Sequence, residues 1–176
     1  AGNGLIHAFE QSASERAMNS IKIFPGWTSK SYDGLKEGRR IRLDNKDLNT
    51  TNKNFPDHVI KAGATVYQGG VNLSFGPEYV NLNLSGVYPN HTEVEVVKLF
   101  KGRFINEIDI KERRKVIVLH KKTAEILFDK THTDPIGQFV NAGNVVYQVV
   151  GLYNDKGDSG DSDAYLPFTT LQTIYN

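Results

Sequence analysis

The stretch Arg114-Lys115-Val116-Ile117-Val118-Leu119, followed closely by Ala124-Glu125-Ile126-Leu127-Phe128, decides the fold class. Four consecutive apolar residues without polar alternation mark a strand buried on both faces. The apolar positions 124, 126, 127 and 128 then read as a helix. Upstream, Val94, Val97 and Leu99-Phe100 suggest a short helix leading into Gly102-Arg103-Phe104. Downstream, Pro135-Ile136-Gly137 opens a hairpin: Phe139 and Val140, a turn over Asn141 to Asn144, and a strand from Val145 to Leu152. The stretch Asn154 to Asp163 is acidic and glycine-rich and reads as a loop. Tyr165-Leu166-Pro167 resumes a strand, and Thr169 to Tyr175 begins a helix.

The first half has a different pattern. Leu5, Ala8, Phe9, Ala13 and Ala17 recur at helical steps, and Ile21, Ile23 and Phe24 read as a strand closed by Pro25-Gly26. Trp27 to Gly38 is a loop or hairpin tip. Asp44 is the expected N-cap of a short helix, supported by Asp47 and ended by Phe55-Pro56. Val59 to Tyr67, Val71 to Phe75 and Val80 to Leu84 read as a three-stranded meander, with a turn at Gly69-Gly70. The sequence thus specifies a mixed α+β protein with a seam near Tyr88 to Thr92.

At 176 residues a single core, or two small lobes, folds without disulfide or metal support. Lys and Arg total 21 against 20 Asp and Glu, so the charge footprint of a nucleic-acid binder is missing and no nucleic-acid partner is expected. Cysteine is absent, which excludes zinc ribbons, iron–sulfur sites and thiol nucleophiles. No apolar run approaches the roughly 20 residues that span a bilayer, so this stretch by itself reads as soluble.

No catalytic constellation emerges. His7, His58, His91, His120 and His132 show no metal-ligand spacing, although His120 follows the buried strand and is placed to border a cleft. Gly157-Asp158-Ser159-Gly160 lacks the strand-to-helix flanks of a nucleophile elbow. Asp155, Asp158, Asp161 and Asp163 miss the register of a calcium loop. The basic clusters Arg39-Arg40-x-Arg42 and Lys111 to Lys115 are interleaved with acids and read as solvated faces. A binding or structural module follows from the residues, with a secreted enzyme or a free-standing ligand-binding module as the competing readings.

Several segments in order resemble the periplasmic core domain of MacB-like ABC transporter permeases, a family that includes LolC and FtsX-type proteins. Gly86-Val87-Tyr88-Pro89 is followed by Lys101-Gly102-Arg103-Phe104 and Asp109. Next come Arg114 to Leu119, Ala124 to Phe128, Pro135-Ile136-Gly137-Gln138, Tyr147-Gln148-Val149-Val150-Gly151, and Ala164-Tyr165-Leu166-Pro167-Phe168. Gly38-Arg39-Arg40-Ile41-x-Leu43 with Asp47-Leu48 resembles the segment ahead of the first helix. Physically these are fold-keeping residues: Gly102 and Gly137 suit tight corners, Gly151 a close backbone approach, and Pro135 a fixed hairpin entry, with Pro167 in the closing strand motif. Arg103 and Asp109 are placed to pair across a turn.

The resemblance implies a porter-like α/β lobe plus a smaller, mostly β Sabre-like lobe. On this chain the porter-like lobe is expected over 1–89, the Sabre-like lobe over 90–163, and a strand and helix start returning toward the porter-like lobe over 164–176. It implies a non-catalytic domain on the periplasmic side of the bacterial inner membrane, within an integral membrane protein. ATP-driven motion would be coupled there to export or lipoprotein release. The implied partners are the permease's transmembrane helices, a second permease copy, a cytoplasmic ABC ATPase, and a periplasmic fusion or carrier protein. This chain itself is expected to bind no ATP and no other cofactor or metal. In the family a further β-α-β stretch follows the last strand here, so an exposed sheet edge is expected. Trp27, Tyr32 and Tyr79 lie in loop-like positions and are the candidate partner contacts, since Trp and Tyr are enriched at interaction hot spots.

Overall fold

The strand Val116–His120 lies near the middle of a seven-stranded sheet, and all five of its residues are buried. Ile117 and Leu119 point into one hydrophobic cluster and Val116 and Val118 into a second one on the opposite face. That two-sided burial is why the run shows no polar alternation. The computed structural model describes residues 20–95, 97–154 and 164–175. The expected helix from Leu5 to Ala17 and the acidic residues 155–163 lie outside them.

The chain divides into two compact units, 1–62 and 63–176. In the first, Trp27 bridges Arg40, and Thr28 N–H donates to the Arg39 carbonyl at 2.8 Å, forming the expected hairpin tip. Ile21, Ile23 and Phe24 form no strand and stand exposed. Helix α1 (Asn45–Asn54) begins as its sequence dictates: the Asp44 carboxylate accepts from Lys46 and Asp47 N–H, and Asp47 accepts from Asp44 N–H. Phe55 ends it.

The second unit holds the sheet. Strands β1 (Thr65–Phe75) and β2 (Glu78–Val87) form one long antiparallel hairpin, so the expected three-stranded meander is two strands. Gly69-Gly70 is not a turn. The register shifts between Gln68 and Val71, and Gly70 takes φ 68°, so the pair is absorbed as a bulge inside β1. After a one-turn helix α2 (His91–Val94) comes strand β3 (Lys98–Gly102), where a helix was expected through Phe100. Helix α3 (Glu107–Glu112) precedes β4 (Val116–His120), which passes directly into α4 (Lys121–Phe128). The hairpin β5 (Phe139–Ala142) and β6 (Val145–Asn154), strand β7 (Ala164–Pro167) and helix α5 (Phe168–Tyr175) complete it.

Strand order is β3-β6-β4-β7-β2-β1-β5, with β5 also paired to β6. The sheet therefore curls back on itself: β5 bonds to β1 at Leu73↔Ala142 and to β6 at Phe139↔Gln148, while β3 stays outside the closed part. β4 runs parallel to β6, and β2 parallel to β7. The seam expected at Tyr88 to Thr92 thus runs across a continuous sheet, because β2 is hydrogen-bonded to β7 from beyond it. The compact division falls after Ala62 instead. Among the described strands, β3 and the first half of β1 have no second neighbour. Lys98 and Lys101 on β3 supply the charge that blunts such an edge.

The larger cluster lies under α4 and α5, where Leu127, Phe128 and Leu171 meet Leu73, Leu84, Ile117, Leu119 and Leu166. The smaller one joins Val87, Phe104, Ile105, Val118 and Tyr153. Tyr147 is fully buried in the larger cluster, and its hydroxyl makes no close hydrogen bond. Burial, with the Tyr175 phenol nearby, pushes its pKa up. A buried hydroxyl without a good partner contributes no net stability, whereas the ring fills core volume. Tyr147→Phe is expected to change unfolding free energy by less than about 1 kcal/mol. Tyr147→Ala should cost about 3–5 kcal/mol. Urea unfolding of both variants measures this; a Phe variant as damaged as the Ala variant would show that the hydroxyl is structural.

Candidate functional site

The corner between β3 and β4 brings Arg103, Asp109, Glu112 and Arg114 together. Asn106 caps α3: its side chain accepts from Asp109 N–H at 3.0 Å, and the Asp109 carboxylate accepts from Asn106 N–H at 3.0 Å. The same carboxylate, fully buried, receives both terminal nitrogens of Arg103, at 2.5 and 3.1 Å. Arg114 approaches it to 4.0 Å and is held at 2.8 Å by Glu112. Arg103 also donates to the Phe104 carbonyl at 3.0 Å. One carboxylate thus ties together the end of β3, the start of α3 and the entry to β4.

Two glycines let that corner close. Gly102 has φ 75°, and it pairs with Gly151 of β6. A Cβ at Gly151 would run into the Arg103 carbonyl, and one at Gly102 into the Val150 carbonyl. The backbones touch there because neither residue has a side chain. Arg103 N–H donates to the Val150 carbonyl at 2.9 Å across this contact.

Beside the corner lies an open groove of about 500 Å³ lined by Arg103, Arg114, Lys115, Val116, Phe139, Val146 and Gln148. One wall is cationic; the other is the outward face of the β5–β6 hairpin. Phe139 and Val146 are 58% and 46% exposed on that face. From the sequence Arg103 reads as a partner of Asp109 across a turn, and Arg114 and Lys115 fall in the basic cluster Lys111 to Lys115 that reads as a solvated face. The available signal was parity: alternation in Phe139-Val140-Asn141 turns Phe139 outward beside Asn141 if Val140 is core.

The remaining sequence-selected residues disperse. Trp27 and Tyr32 stand exposed on the hairpin of the first unit, and Tyr79 is exposed on β2 of the second. Gly86 is buried inside β2 against Leu171, and the Pro89 carbonyl accepts from the Thr92 hydroxyl at 3.4 Å. The Pro135 carbonyl receives Gln138 N–H at 3.2 Å, Gly137 turns with φ 87°, and Pro167 pairs with Val87. His120 caps α4 by accepting from Lys122 N–H at 3.3 Å and packs edge-on to Tyr153. That aromatic row continues through Tyr165 to Phe104 and His91. Asp134 is held below the usual carboxylate range by its 2.6 Å bond from Lys101, with Ile136 N–H helping. Burial and the Glu107 charge push the Tyr88 phenol up. Among the described residues no group of acidic or histidine side chains is arranged to hold a metal ion, and no helix is long and apolar enough to cross a membrane.

Known proteins give this geometry a context. The family described as the MacB-like periplasmic core domain matches residues 1–176. The chain is 24% identical over 177 residues to a macrolide export ATP-binding/permease protein MacB of Bartonella henselae, aligning over 99% of this chain and 26% of that protein. It thus spans about a quarter of the length of the curated relatives it matches. The periplasmic region of MacB from Actinobacillus actinomycetemcomitans superposes with a TM-score of 0.71 at 23% identity, covering 94% of this chain and 72% of that one. The extracellular domain of the noncanonic ABC-type transporter YknZ from Gram-positive bacteria gives 0.65 at 26% identity, over 76% of this chain and 66% of that one. A mixed helix-and-sheet fold shared with these domains, and a family match over its full length, show that this chain belongs to the MacB-like periplasmic core domain family.

Proposed function

We propose that this chain is the periplasmic part of an ABC-type export or lipoprotein-release permease, where it couples ATP-driven motion to substrate handling and does no bond-making chemistry itself. The observation that carries this reading is the family match over residues 1–176. In the proposal, the flanking polypeptide supplies the transmembrane helices, a second copy completes the permease, and a cytoplasmic ABC ATPase drives it. A tightly tied corner such as Arg103–Asp109–Arg114 suits a domain that moves as a stiff body.

This chain contains no cysteine, so once cysteines elsewhere in the permease are replaced a single introduced thiol can be labelled without background. Lys111 is exposed on α3, and Lys111→Cys carrying a spin label in the full-length permease reports the distance between two copies. Trapping the ATPase with a non-hydrolysable nucleotide is expected to shift that distance distribution. An unchanged distribution in a permease that still turns over ATP would refute the coupling.

Trp27, Tyr32 and Tyr79 are the proposed contacts with a periplasmic fusion or carrier protein. Being exposed, Trp27 can be removed with a stability change within about 0.5 kcal/mol. Trp27→Ala is expected to lower export in cells at an unchanged level of permease. Wild-type export by this variant, with Tyr32→Ala and Tyr79→Ala behaving alike, would remove these residues from the partner surface.

A further inference from the structure

The groove beside the charged corner carries a chemistry that the fold-keeping role of Arg103 and Asp109 leaves unused. Three cations, Arg103, Arg114 and Lys115, line it. The nearby carboxylates are Asp109, which is fully buried, and Glu112, which is held by Arg114. Lys115 is exposed and makes no ion pair among the described residues. The groove therefore presents an excess of positive charge toward its opening. Opposite stand Phe139 and Val146, both facing outward from the hairpin, with Gln148 beside them donating to the Gly137 carbonyl at 3.3 Å. Cations on one wall and exposed apolar side chains on the other suit an occupant that is itself divided. Its volume of about 500 Å³ falls within the range of small-ligand sites.

We propose that this groove binds a monomeric amphiphilic anion, a carboxylate or sulfate head with one alkyl chain. The head lies on Lys115 and Arg114 and the chain along Phe139 and Val146. An inorganic anion would leave the apolar wall in water, and a neutral amphiphile would leave the Lys115 ammonium without a counter-charge. Only an occupant with both parts satisfies both walls.

The test is a titration of the 176-residue chain, isotopically labelled for amide NMR, with dodecanoate below its micelle-forming concentration. The expected result is saturable binding with shifts at Val116, Phe139, Val146 and Gln148. Lys115→Glu and Val146→Asp, both at exposed positions, should each weaken binding about ten-fold or more while thermal unfolding stays at the wild-type midpoint. Acetate and dodecyl maltoside, which carry one half of the ligand each, should bind at least about ten-fold more weakly. Lys111→Glu, exposed but outside the groove lining, should bind as wild type. The proposal is overturned by non-saturable binding, by dodecyl maltoside binding as tightly as dodecanoate, or by Lys111→Glu matching the loss at Lys115→Glu. The site does not depend on the transport reading, since the titration concerns this chain alone.

Discussion

Gly151→Ala is expected to destabilise the second unit by about 4 kcal/mol, the size reserved for substitutions that force backbone apart. The added methyl would occupy the position of the Arg103 carbonyl, and a carbonyl cannot swing aside as a side chain can. Relief requires β3 to lift from β6, which breaks the bond from Arg103 N–H to Val150 and draws the guanidinium away from Asp109. Two further losses therefore accompany the steric one. Gly143→Ala is the control. Open space surrounds that glycine, so its cost is only the backbone preference against its φ of 60°, about 1 kcal/mol. Urea unfolding followed by circular dichroism separates the two variants. Equal midpoints would mean that the β3–β6 contact gives way freely.

Asp109→Ala is the second large effect, with an expected loss of about 3 kcal/mol. The carboxylate is fully buried and accepts from Asn106 N–H as well as from Arg103, so its removal strips the capping box and leaves a guanidinium facing a cavity. Arg103 itself is partly solvent-exposed and can rehydrate, which keeps the cost at the lower end for a broken buried pair. Asp109→Asn keeps an oxygen for the Asn106 N–H and removes only the charge, so it should lose roughly half as much. In a double-mutant cycle, Arg103→Ala and Asp109→Ala should couple by about 1.5–3 kcal/mol. Strictly additive losses would make the ion pair a bystander to the cap. Together the glycine and carboxylate variants test whether the β3–α3–β4 corner acts as one unit.

Local signals in the chain were legible where one residue's chemistry acts on its own turn. Asp44 with Asp47 and Asn106 with Asp109 both carry an acceptor pair at capping-box spacing, and both cap helices. From residue types alone Asp44 and Asp47 read as a cap, whereas Asp109 reads only as a partner of Arg103 across a turn. The Val116–Leu119 run announced two-sided burial because each of its neighbours on both faces had to be apolar. Gly69-Gly70 shows the limit. Two glycines mark a departure from regular backbone, but a turn and a bulge place the same demand on φ. Only the pairing of β2 across both halves of β1 made it a bulge. Likewise Leu99-Phe100, apolar and short, fits a helix or a strand until β6 supplies the ladder.

The candidate site divides in the same way. Trp27, Tyr32 and Tyr79 were legible as exposed aromatics because polar, turn-rich neighbours keep such residues out of a core. The groove was not, because Arg103, Lys115 and Phe139 belong to segments whose contact depends on long-range pairing. By itself the sequence determined the α+β class, the cap of α1, the buried central strand, the absence of thiol chemistry in this chain and the family. Tertiary structure alone decided that β5 pairs with both β1 and β6, that the compact boundary follows Ala62, and that a cationic wall faces an apolar one. The physical reason is range: caps and periodicity act over a few residues, whereas strand register is fixed by hydrogen bonds between segments far apart in the chain.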